Sequence, residues 1–264
     1  MVPDEVVITQ AIVSTYLNKF LDCTRTEVAV VGGGPSGLVA ACFLARAGRR
    51  VVLFERKLGI GGGMWGGGML FNEIVVQEEA RGLLEEFGVR TRRFQENCYT
   101  ADAVEAVSAL AFHAVQAGAN ILNGISVEDV VVREGRVIGL VINWSAVQVA
   151  GLHVDPLTVH ADWVVDATGH DSEVLAVIER KAGIRLFTAT GKRLGEQSMW
   201  AERAEQLTVE NTREICPGVY VAGMAVNASF GGPRMGPIFG GMLLSGRRAA
   251  ERILSRLEGK EERP

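Results

Sequence analysis

The sequence predicts an α/β fold in which helices flank a parallel β-sheet that also carries an antiparallel β excursion. Short β-branched runs alternate with helical segments that end at glycines, which is the pattern of βαβ units. The predicted strands are apolar at nearly every position, as in a sheet covered on both faces. The stretch 125–143 alternates around Glu134 and Gly135, which predicts an antiparallel hairpin. With 264 residues, 48% of them hydrophobic, residues 1–264 are predicted to form a single domain.

The predicted elements follow one another without a repeat or a long linker. A leading helix at 4–20 is predicted from its apolar spacing, and it packs either on the back of the domain or against another subunit. A βαβ unit follows at 27–55, with strands at 27–31 and 51–54 around a helix at 35–47. The later predictions are helices at 76–87 and 101–117, the hairpin, strands at 163–166 and 218–221, and a closing helix at 239–257.

Composition and charge argue against several classes of function. Lys plus Arg number 27 and Asp plus Glu number 31, so the net charge is −4, and the pI near 5.7 argues against a nucleic acid partner. No apolar run reaches the roughly 18 residues of a membrane span. The start has no basic stretch followed by an apolar one, so a cytoplasmic protein is expected. The cysteines form no CxxC pair and are expected to be reduced thiols: Cys23, Cys42, Cys98 and Cys216.

A glycine fingerprint for a dinucleotide lies between the first predicted strand and helix. Gly32, Gly34 and Gly37 form GxGxxG, and Glu55 ends the next strand. The glycines permit a tight turn and close approach to a pyrophosphate, whose charge is stabilised at the helix N-terminus. The carboxylate of Glu55 can accept hydrogen bonds from ribose hydroxyls and repels a 2′-phosphate, which favours NAD or FAD over NADP. The fold is therefore expected to be Rossmann-like, of the FAD/NAD(P)-binding type.

A second glycine cluster, LGIGGGMWGGGML, occupies residues 58–70. Its glycines increase the chain entropy lost on folding, so the segment either has a rigid role or remains a mobile surface loop. A rigid segment would let the backbone pass close to a ligand. Met64 and Trp65 favour packing against another part of the molecule.

The late strand distinguishes two uses of this fold. In FAD-dependent oxidoreductases of similar architecture this strand ends in Gly-Asp, and the Asp holds the flavin ribitol. Here Met224 follows Gly223, and a thioether cannot replace a carboxylate acceptor. An FAD-dependent oxidoreductase is therefore the alternative, and a non-catalytic NAD or ADP-ribose sensor is a third interpretation. A ribose-bisphosphate enzyme ranks below the flavoprotein because the sequence has no basic cluster suited to two phosphates.

Motifs spread along the chain match those of one known family. They are GGGPSGL, ERK followed by GGGMWGGG, HVDP, ATGHD and RMGPIFGGMLLSG. The last is the most specific, because FAD and NAD proteins in general lack it. On these residues the chain resembles the thiazole synthase family of thiamine biosynthesis. The resemblance implies an enzyme that makes an adenylated thiazole, with NAD and glycine as consumed substrates, and that assembles as a ring-like homo-octamer.

The resemblance also bears on the source of sulfur. His153 stands in GLHVDPLT where the self-sacrificing eukaryotic branch has the cysteine that surrenders its sulfur. An imidazole has no sulfur to give, so the sulfur is expected to come from outside, most simply as free sulfide. This matches the sulfide-dependent branch found in archaea and some anaerobic bacteria, and the protein is expected to turn over repeatedly. His153 is accordingly a predicted catalytic residue.

The family match further implies an Fe(II) site at Asp155 and His170, both also predicted to be catalytic. A carboxylate and an imidazole suit this ion, and two protein ligands leave positions open for substrate. The two residues are predicted at the ends of a strand excursion that could return them to one site. Whether one chain or two supply them stays open. Asp171 is expected to orient the ring of His170.

The remaining site residues are assigned by the same resemblance. Arg234 in GGPRMGP is expected to bind the glycine carboxylate, for which a guanidinium offers a planar fork. The positions that match nucleotide contacts are Ser36, Arg56, Gly63, Val127 and Met224. The implied reaction condenses NAD-derived ADP-ribose, glycine and free sulfide into an ADP-thiazole carboxylate.

Overall fold

The computed structural model describes residues 2–259 of the chain. The α-helices in that range are α1 (Glu5–Cys23), α2 (Pro35–Arg46), α3 (Glu78–Glu86), α4 (Ala103–Gln116), α5 (Ser145–Val149), α6 (Glu173–Val177), α7 (Ala201–Glu210), α8 (Met224–Phe230) and α9 (Gly240–Leu257). The β-strands are β1 (Arg25–Val31), β2 (Val51–Glu55), β3 (Glu73–Val76), β4 (Arg92–Gln95), β5 (Cys98–Asp102), β6 (Asn120–Asn123), β7 (Ile125–Arg133), β8 (Arg136–Trp144), β9 (Leu157–Asp166), β10 (Glu214–Cys216) and β11 (Val219–Val221). Short 3-10 helices lie at Gly62–Gly66 and Gly169–Asp171, and a π-helical turn lies at Ile178–Ala182.

The main sheet is parallel at its centre and antiparallel at its margins. Its strands follow the order β10-β11-β9-β1-β2-β6, and the run from β11 to β6 is parallel. The hairpin β7–β8 joins through β8 to the first half of β9, whereas β11 pairs with the second half of β9. This arrangement confirms the predicted Rossmann-like fold class, with its parallel sheet and antiparallel excursion.

Alternate residues of the central strands enter two separate hydrophobic clusters. On β1, Val28 and Val30 belong to the cluster that includes residues of α2, α3, α4 and α9. Ala29 and Val31 belong instead to the cluster shared with the hairpin, α6 and α8. Because both faces of the sheet are covered, strand residues are apolar at every position and not at every second one.

The local structure follows the sequence pattern closely where that pattern is strong. The βαβ unit occupies the predicted region, and the hairpin turns at Glu134 and Gly135, whose φ angles are 51° and 74°. The small antiparallel sheet β3-β5-β4 was not predicted. Its strands have only four or five residues, and the predicted helix at 76–87 begins later, at Glu78. Residues 73–76 form a strand because they pair with residues 99–102. Local periodicity does not reveal a pairing between segments so far apart in the sequence.

The leading helix α1 lies largely outside the core. Cys23 at its end is its one buried residue, and Tyr16 stacks on Trp144 with ring centroids 6.0 Å apart. Ile12, Leu17 and Leu21 are exposed. Within residues 2–259 no helix has the length and apolarity needed to cross a membrane.

The parallel strands bring several turns to one edge of the sheet. Val31 of β1 lies beside Phe54 of β2 and beside Asp166 of β9, and Asp166 lies beside Val221 of β11. The turns that follow these strands therefore meet at the carboxyl edge, where ligands bind in open α/β sheets.

Candidate active site

A cavity of about 970 Å³ opens at this carboxyl edge. Its walls come from the fingerprint turn, the glycine-rich segment 58–70, the ATGHD turn and the segment before α9. The predicted site residues that line it are Gly32, Gly34, Ser36, Glu55, Arg56, Gly63, Val127, His170, Met224 and Arg234. Gly37 lies behind the cavity wall in α2. A volume of this size falls at the upper end of the usual range for small-molecule sites.

Each fingerprint glycine meets a different geometric demand. Gly32 has a φ of +100°, and a Cβ there would lie 2.5 Å from the carbonyl oxygen of Ala167. A Cβ at Gly37 would lie 2.0 Å from the carbonyl oxygen of Gly32, so only glycine lets α2 start this close to the turn. Gly34 is the N-cap of α2 and has open space where a Cβ would stand. Pro35 has no N–H, so the first N–H groups of α2 are those of Ser36 and Gly37. No side chain caps this end of the helix, a geometry suited to an anion.

The carboxylate of Glu55 is fixed at the end of β2 by two backbone donors. The amide of Gly33 donates to its Oε2 and the amide of Lys57 donates to its Oε1, both at 2.8 Å. Each oxygen keeps a further lone pair for another donor. The side chain is nearly buried yet lines the cavity.

The glycine-rich segment is a packed part of the wall. Met64 is fully buried, and the indole Nε1 of Trp65 donates to the carbonyl of Ile60 at 2.5 Å. A Cβ at Gly67, whose φ is +51°, would lie 2.1 Å from the carbonyl oxygen of Glu73. Of the two interpretations of this cluster, the structure supports the rigid one for residues 61–68. The tip at 69–71 is exposed and apolar.

The ATGHD turn is built on a buried carboxylate. Asp166 accepts hydrogen bonds from the amide of Thr168 at 3.0 Å, from its hydroxyl at 2.6 Å and from the amide of Leu175 at 3.1 Å. Thr168 in turn accepts from the amide of Glu173 at 2.7 Å. Burial raises the pKa of the Asp166 carboxyl, although its hydrogen bonds act in the opposite direction. This network fixes the 3-10 turn that presents His170 to the cavity.

The ring of His170 faces Glu196 and not Asp171. Nδ1 of His170 lies 2.7 Å and 2.8 Å from the two carboxylate oxygens of Glu196. Asp171 instead lies 4.0 Å from the guanidinium of Arg56, so the predicted role of Asp171 is wrong. Arg56 also forms an ion pair with Glu173, whose pKa is raised chiefly by burial.

Arg234 extends an exposed guanidinium into the cavity. Among residues 2–259 it has no ion-pair partner. Its backbone is held on both sides, because its amide donates to the carbonyl of Gln197 at 3.0 Å and its carbonyl accepts from the amide of Trp200 at 3.1 Å. A guanidinium that is unpaired within residues 2–259 and is carried on a backbone held in this way is a ready receptor for a carboxylate.

His153 and Asp155 lie at the opposite end of the molecule from His170. Both are exposed in the loop before β9, whereas His170 follows the end of that strand. The ten residues of β9 span roughly 30 Å at about 3.3 Å per residue. One continuous strand therefore separates Asp155 from His170, so of the two arrangements that the sequence left open, a single chain does not bring these residues together. Among the described residues no group of three or more His, Cys, Asp or Glu side chains is placed to hold a metal.

The family to which the chain belongs follows from comparison with known proteins. Residues 9–239 match the model of the Thi4 family. The chain belongs to the Thi4 family. Thiamine thiazole synthase from Methanothermobacter thermautotrophicus is 58% identical over 97% of this chain and 99% of its own length. The enzyme of the same name from Desulfosudis oleivorans is 60% identical over the same shares of the two chains.

A solved structure agrees with this membership. The crystal structure of Thermovibrio ammonificans THI4 has a TM-score of 0.94 and 52% identity, and the match covers 98% of this chain and all of that one. These comparisons support an enzyme of thiazole formation in thiamine biosynthesis for this member of the Thi4 family, and they do not favour an FAD-dependent oxidoreductase. Met224, where the flavin-holding acid is expected in such an enzyme, begins α8 at the cavity wall.

Two polar residues of this Thi4-family site were missed by the sequence analysis. Asp166 ends the predicted strand at 163–166 and directly precedes the ATGHD motif, so its position next to the turn was visible in the sequence. Glu196 is 26 positions from His170 and belongs to none of the motifs. Nothing local in the sequence marks it.

Proposed function

We propose that this chain condenses NAD-derived ADP-ribose, glycine and free sulfide into an ADP-thiazole carboxylate in an Fe(II)-dependent reaction, and that it turns over without consuming a residue of its own. One observation carries the proposal. The fingerprint turn with Glu55, the guanidinium of Arg234 and the imidazole of His170 all open into a single cavity. A protein that only bound a nucleotide would need the first of these three.

The fingerprint side of the cavity suits an adenine dinucleotide. The uncapped N-terminus of α2 offers backbone N–H groups to a pyrophosphate, and the fixed carboxylate of Glu55 offers acceptors to ribose hydroxyls. NAD is a substrate in this proposal, so nicotinamide leaves and the ribose carbon it held becomes available for condensation.

Arg234 serves the second substrate. Its guanidinium binds the carboxylate of glycine through paired hydrogen bonds, which turns the amine toward the carbonyl form of ADP-ribose. Loss of water from these two groups gives an imine. Holding both partners in one cavity supplies the proximity that the condensation requires.

The donor set of the proposed Fe(II) site fits the residues present only when two copies of the chain contribute. His170 offers Nε2 because its Nδ1 faces Glu196, the usual arrangement of a metal-binding histidine. Asp155 lies beyond the far end of β9. In this proposal it enters the cavity of a neighbouring copy. When bound, Fe(II) supplies a Lewis acid and a template for the substrates.

The surfaces around both residues support contact between copies. Leu152, Val154 and Leu157 are exposed beside Asp155, and Met69 and Phe71 are exposed at the cavity mouth. Exposed apolar side chains clustered in this way mark protein–protein contacts. Such contacts fit the homo-octamer that the family resemblance implies.

The cysteines support an external source of sulfur. None of the four lines the cavity, and all lie within the described residues. Burial raises the pKa of Cys23 to about 11 and that of Cys216 to about 12, and it also raises the pKa of Cys42, so these thiols are poor sources of thiolate. With His153 at the position of the sulfur-donating cysteine, free sulfide is the proposed donor.

The first experiment identifies the bound small molecule. Protein purified without oxygen is denatured and the released compound is analysed by mass spectrometry. An adenylated thiazole or a glycine–ADP-ribose adduct supports the proposal, whereas FAD overturns it. If intact NAD alone is released, the protein is incubated with glycine, Fe(II) and sulfide; formation of the thiazole supports the synthase, and its absence supports a sensor.

A mixing experiment tests the site shared between copies. Asp155→Asn and His170→Ala variants are each expected to be inactive when assembled alone. Co-assembled in equal amounts, they are expected to recover about a quarter of the wild-type rate, because random pairing in a symmetric oligomer gives that fraction of sites both native residues. Co-assembly of either variant with itself is the control. No recovery in mixtures shown to contain both variants would contradict a shared site.

A further inference from the structure

The segment 194–200 connects two parts of the cavity wall, the ATGHD turn and the stretch that carries Arg234. It runs alongside residues 228–234, and its amides and carbonyls are hydrogen bonded to that stretch. The bonds run from Leu194 N to Ser229 O, Gly195 N to Ala228 O, Gln197 N to Gly232 O, Arg234 N to Gln197 O and Trp200 N to Arg234 O, with lengths of 2.9–3.1 Å. The segment is therefore fixed to the backbone that carries Arg234.

Glu196 lies within this segment, between Gly195 and Gln197, whose backbones are both hydrogen bonded. Its side chain is 18% exposed, whereas that of His170 is 48% exposed. Gly195 has a φ of +79°, a conformation that glycine adopts without strain. The carboxylate is thus held at a set position, and both of its oxygens lie within hydrogen-bond distance of Nδ1 of His170.

We propose that Glu196 is the positioning residue of the site, which fixes the tautomer and the ring orientation of His170 and directs the Nε2 lone pair into the cavity. The carboxylate accepts a hydrogen bond from Nδ1–H, so the proton of the neutral imidazole resides on Nδ1. Nε2 is then unprotonated and its lone pair can bind a metal. This inference rests on the proposed role of His170 as an Fe(II) ligand. The same segment is hydrogen bonded to the backbone of Arg234, so Glu196 links the imidazole to the stretch of chain that carries the guanidinium.

The test measures metal binding separately from catalysis. Co(II) is titrated into the metal-free oligomer and its binding is followed by calorimetry and by its visible absorption spectrum. Removal of a carboxylate that is hydrogen bonded to a metal-binding histidine weakens metal affinity by about 10- to 100-fold. A loss of this size is expected for Glu196→Ala. Glu196→Gln keeps an oxygen that accepts from Nδ1–H but loses the charge, so an intermediate loss is expected. Glu202→Ala removes an exposed carboxylate in the first turn of α7 and is the matched control.

Two further readouts separate positioning from general damage to the fold. The affinity for NAD is expected to stay within about twofold of wild type, since Glu196 is not part of the fingerprint turn. A crystal structure of the metal-free Glu196→Ala variant is expected to show the ring of His170 rotated from its native orientation. Equal loss of NAD and Co(II) binding would assign Glu196 a structural role and overturn the proposal.

A His170→Ala variant distinguishes failure of this inference from failure of the proposed function. If His170→Ala loses Co(II) binding while Glu196→Ala retains wild-type affinity, the positioning role is wrong and the metal ligand stands. If His170→Ala also binds Co(II) as the wild type does, the imidazole is not a ligand and both proposals fail.

Discussion

At the scale of single residues, the site depends on polar side chains that use only part of their hydrogen-bonding capacity within the protein. Glu55 accepts from two backbone amides, and Nδ1 of His170 faces the carboxylate of Glu196. The remaining lone pairs of Glu55 and Nε2 of His170 are left for a ligand in the cavity. Arg234 differs because only its backbone is held. Its side chain is therefore the group whose substitution should affect one substrate and leave the rest of the site intact.

Replacement of Arg234 is expected to act on glycine and not on NAD. Removing a charge-assisted hydrogen bond costs about 1.5–3 kcal/mol, so Arg234→Gln should raise the KM for glycine by about 10- to 100-fold. Arg234→Lys should recover little of this loss, because an ammonium cannot form the paired contact. Steady-state kinetics at saturating NAD gives the KM, and calorimetry gives the affinity for NAD.

Arg247→Gln provides the control for that measurement. Arg247 is exposed on α9, where it pairs with Glu251 and lines no part of the cavity. Its substitution should leave the KM for glycine unchanged. An unchanged KM in Arg234→Gln would remove Arg234 from the glycine site.

At the scale of elements, the helices around the cavity pack at unusually close range. A Cβ at Gly246 of α9 would lie 2.3 Å from the carbonyl oxygen of Ser36, so α2 and α9 touch through backbone. The N-terminus of α9 is capped from α7, because Oε2 of Glu205 accepts from the amide of Gly241 at 2.7 Å. Burial raises the pKa of Glu205 to about 7, while that hydrogen bond lowers it.

Glu205 should make stability fall as pH rises. The folded protein holds the Glu205 proton more tightly than the unfolded chain, in which the pKa of this residue is near 4.5. The contribution of Glu205 to the free energy of unfolding is therefore full below pH 4.5 and is lost as pH rises toward 7. At 1.36 kcal/mol per pKa unit this loss amounts to about 3 kcal/mol. Glu205→Gln should remove it, making the variant the more stable protein above pH 7. Denaturant unfolding at a series of pH values measures the difference.

The control for Glu205 is Glu202→Gln, an exposed carboxylate on the same helix. Its free energy of unfolding should follow that of the wild type across the whole pH range. Parallel curves for the wild type and Glu205→Gln would show that Glu205 titrates in the folded protein as it does in the unfolded chain.

At the scale of the whole molecule, the surface outside the core predicts assembly. α1 exposes Ile12, Leu17 and Leu21 by 51–64%, and Trp144 and Val149 add to the apolar surface near its contact with the hairpin. Surfaces of this kind are covered in an oligomer. The separation of Asp155 from His170 by the length of β9 independently requires a second copy for the proposed metal site.

A charge placed on α1 tests this expectation. The double substitution Ile12→Glu and Leu17→Glu should convert the expected octamer into a smaller species, because burying two carboxylates at an apolar contact is unfavourable. Light scattering measures the mass, and circular dichroism shows whether the domain stays folded. Gln10→Glu with Asn18→Glu adds the same charge at exposed polar positions of α1 and should leave the mass unchanged. An unaltered mass in the apolar double variant would exclude α1 from the interface.

Much of the fold was predictable because its signals are local. Continuous β-branched runs, the alternation of the hairpin, helical spacing and the glycine turn act within about ten residues. The βαβ unit, the hairpin and the closing helix were therefore found near their observed bounds. Short strands were missed where their pairing with a segment far away in the sequence makes them strands. Residues 73–76 form a strand against 99–102, and β9 extends back to Leu157 because β8 pairs with it.

The sequence by itself determined the family and the fold class and marked residues that line the cavity, because motifs such as ATGHD and RMGP and the glycine fingerprint are contiguous in the chain. Only the tertiary structure decided which of those residues meet. It joined Glu196 to His170 across 26 positions and separated Asp155 from His170 across 15. The physical reason is that a strand moves the chain by about 3.3 Å per residue, whereas a turn reverses it, so spacing in the sequence does not measure distance in the fold.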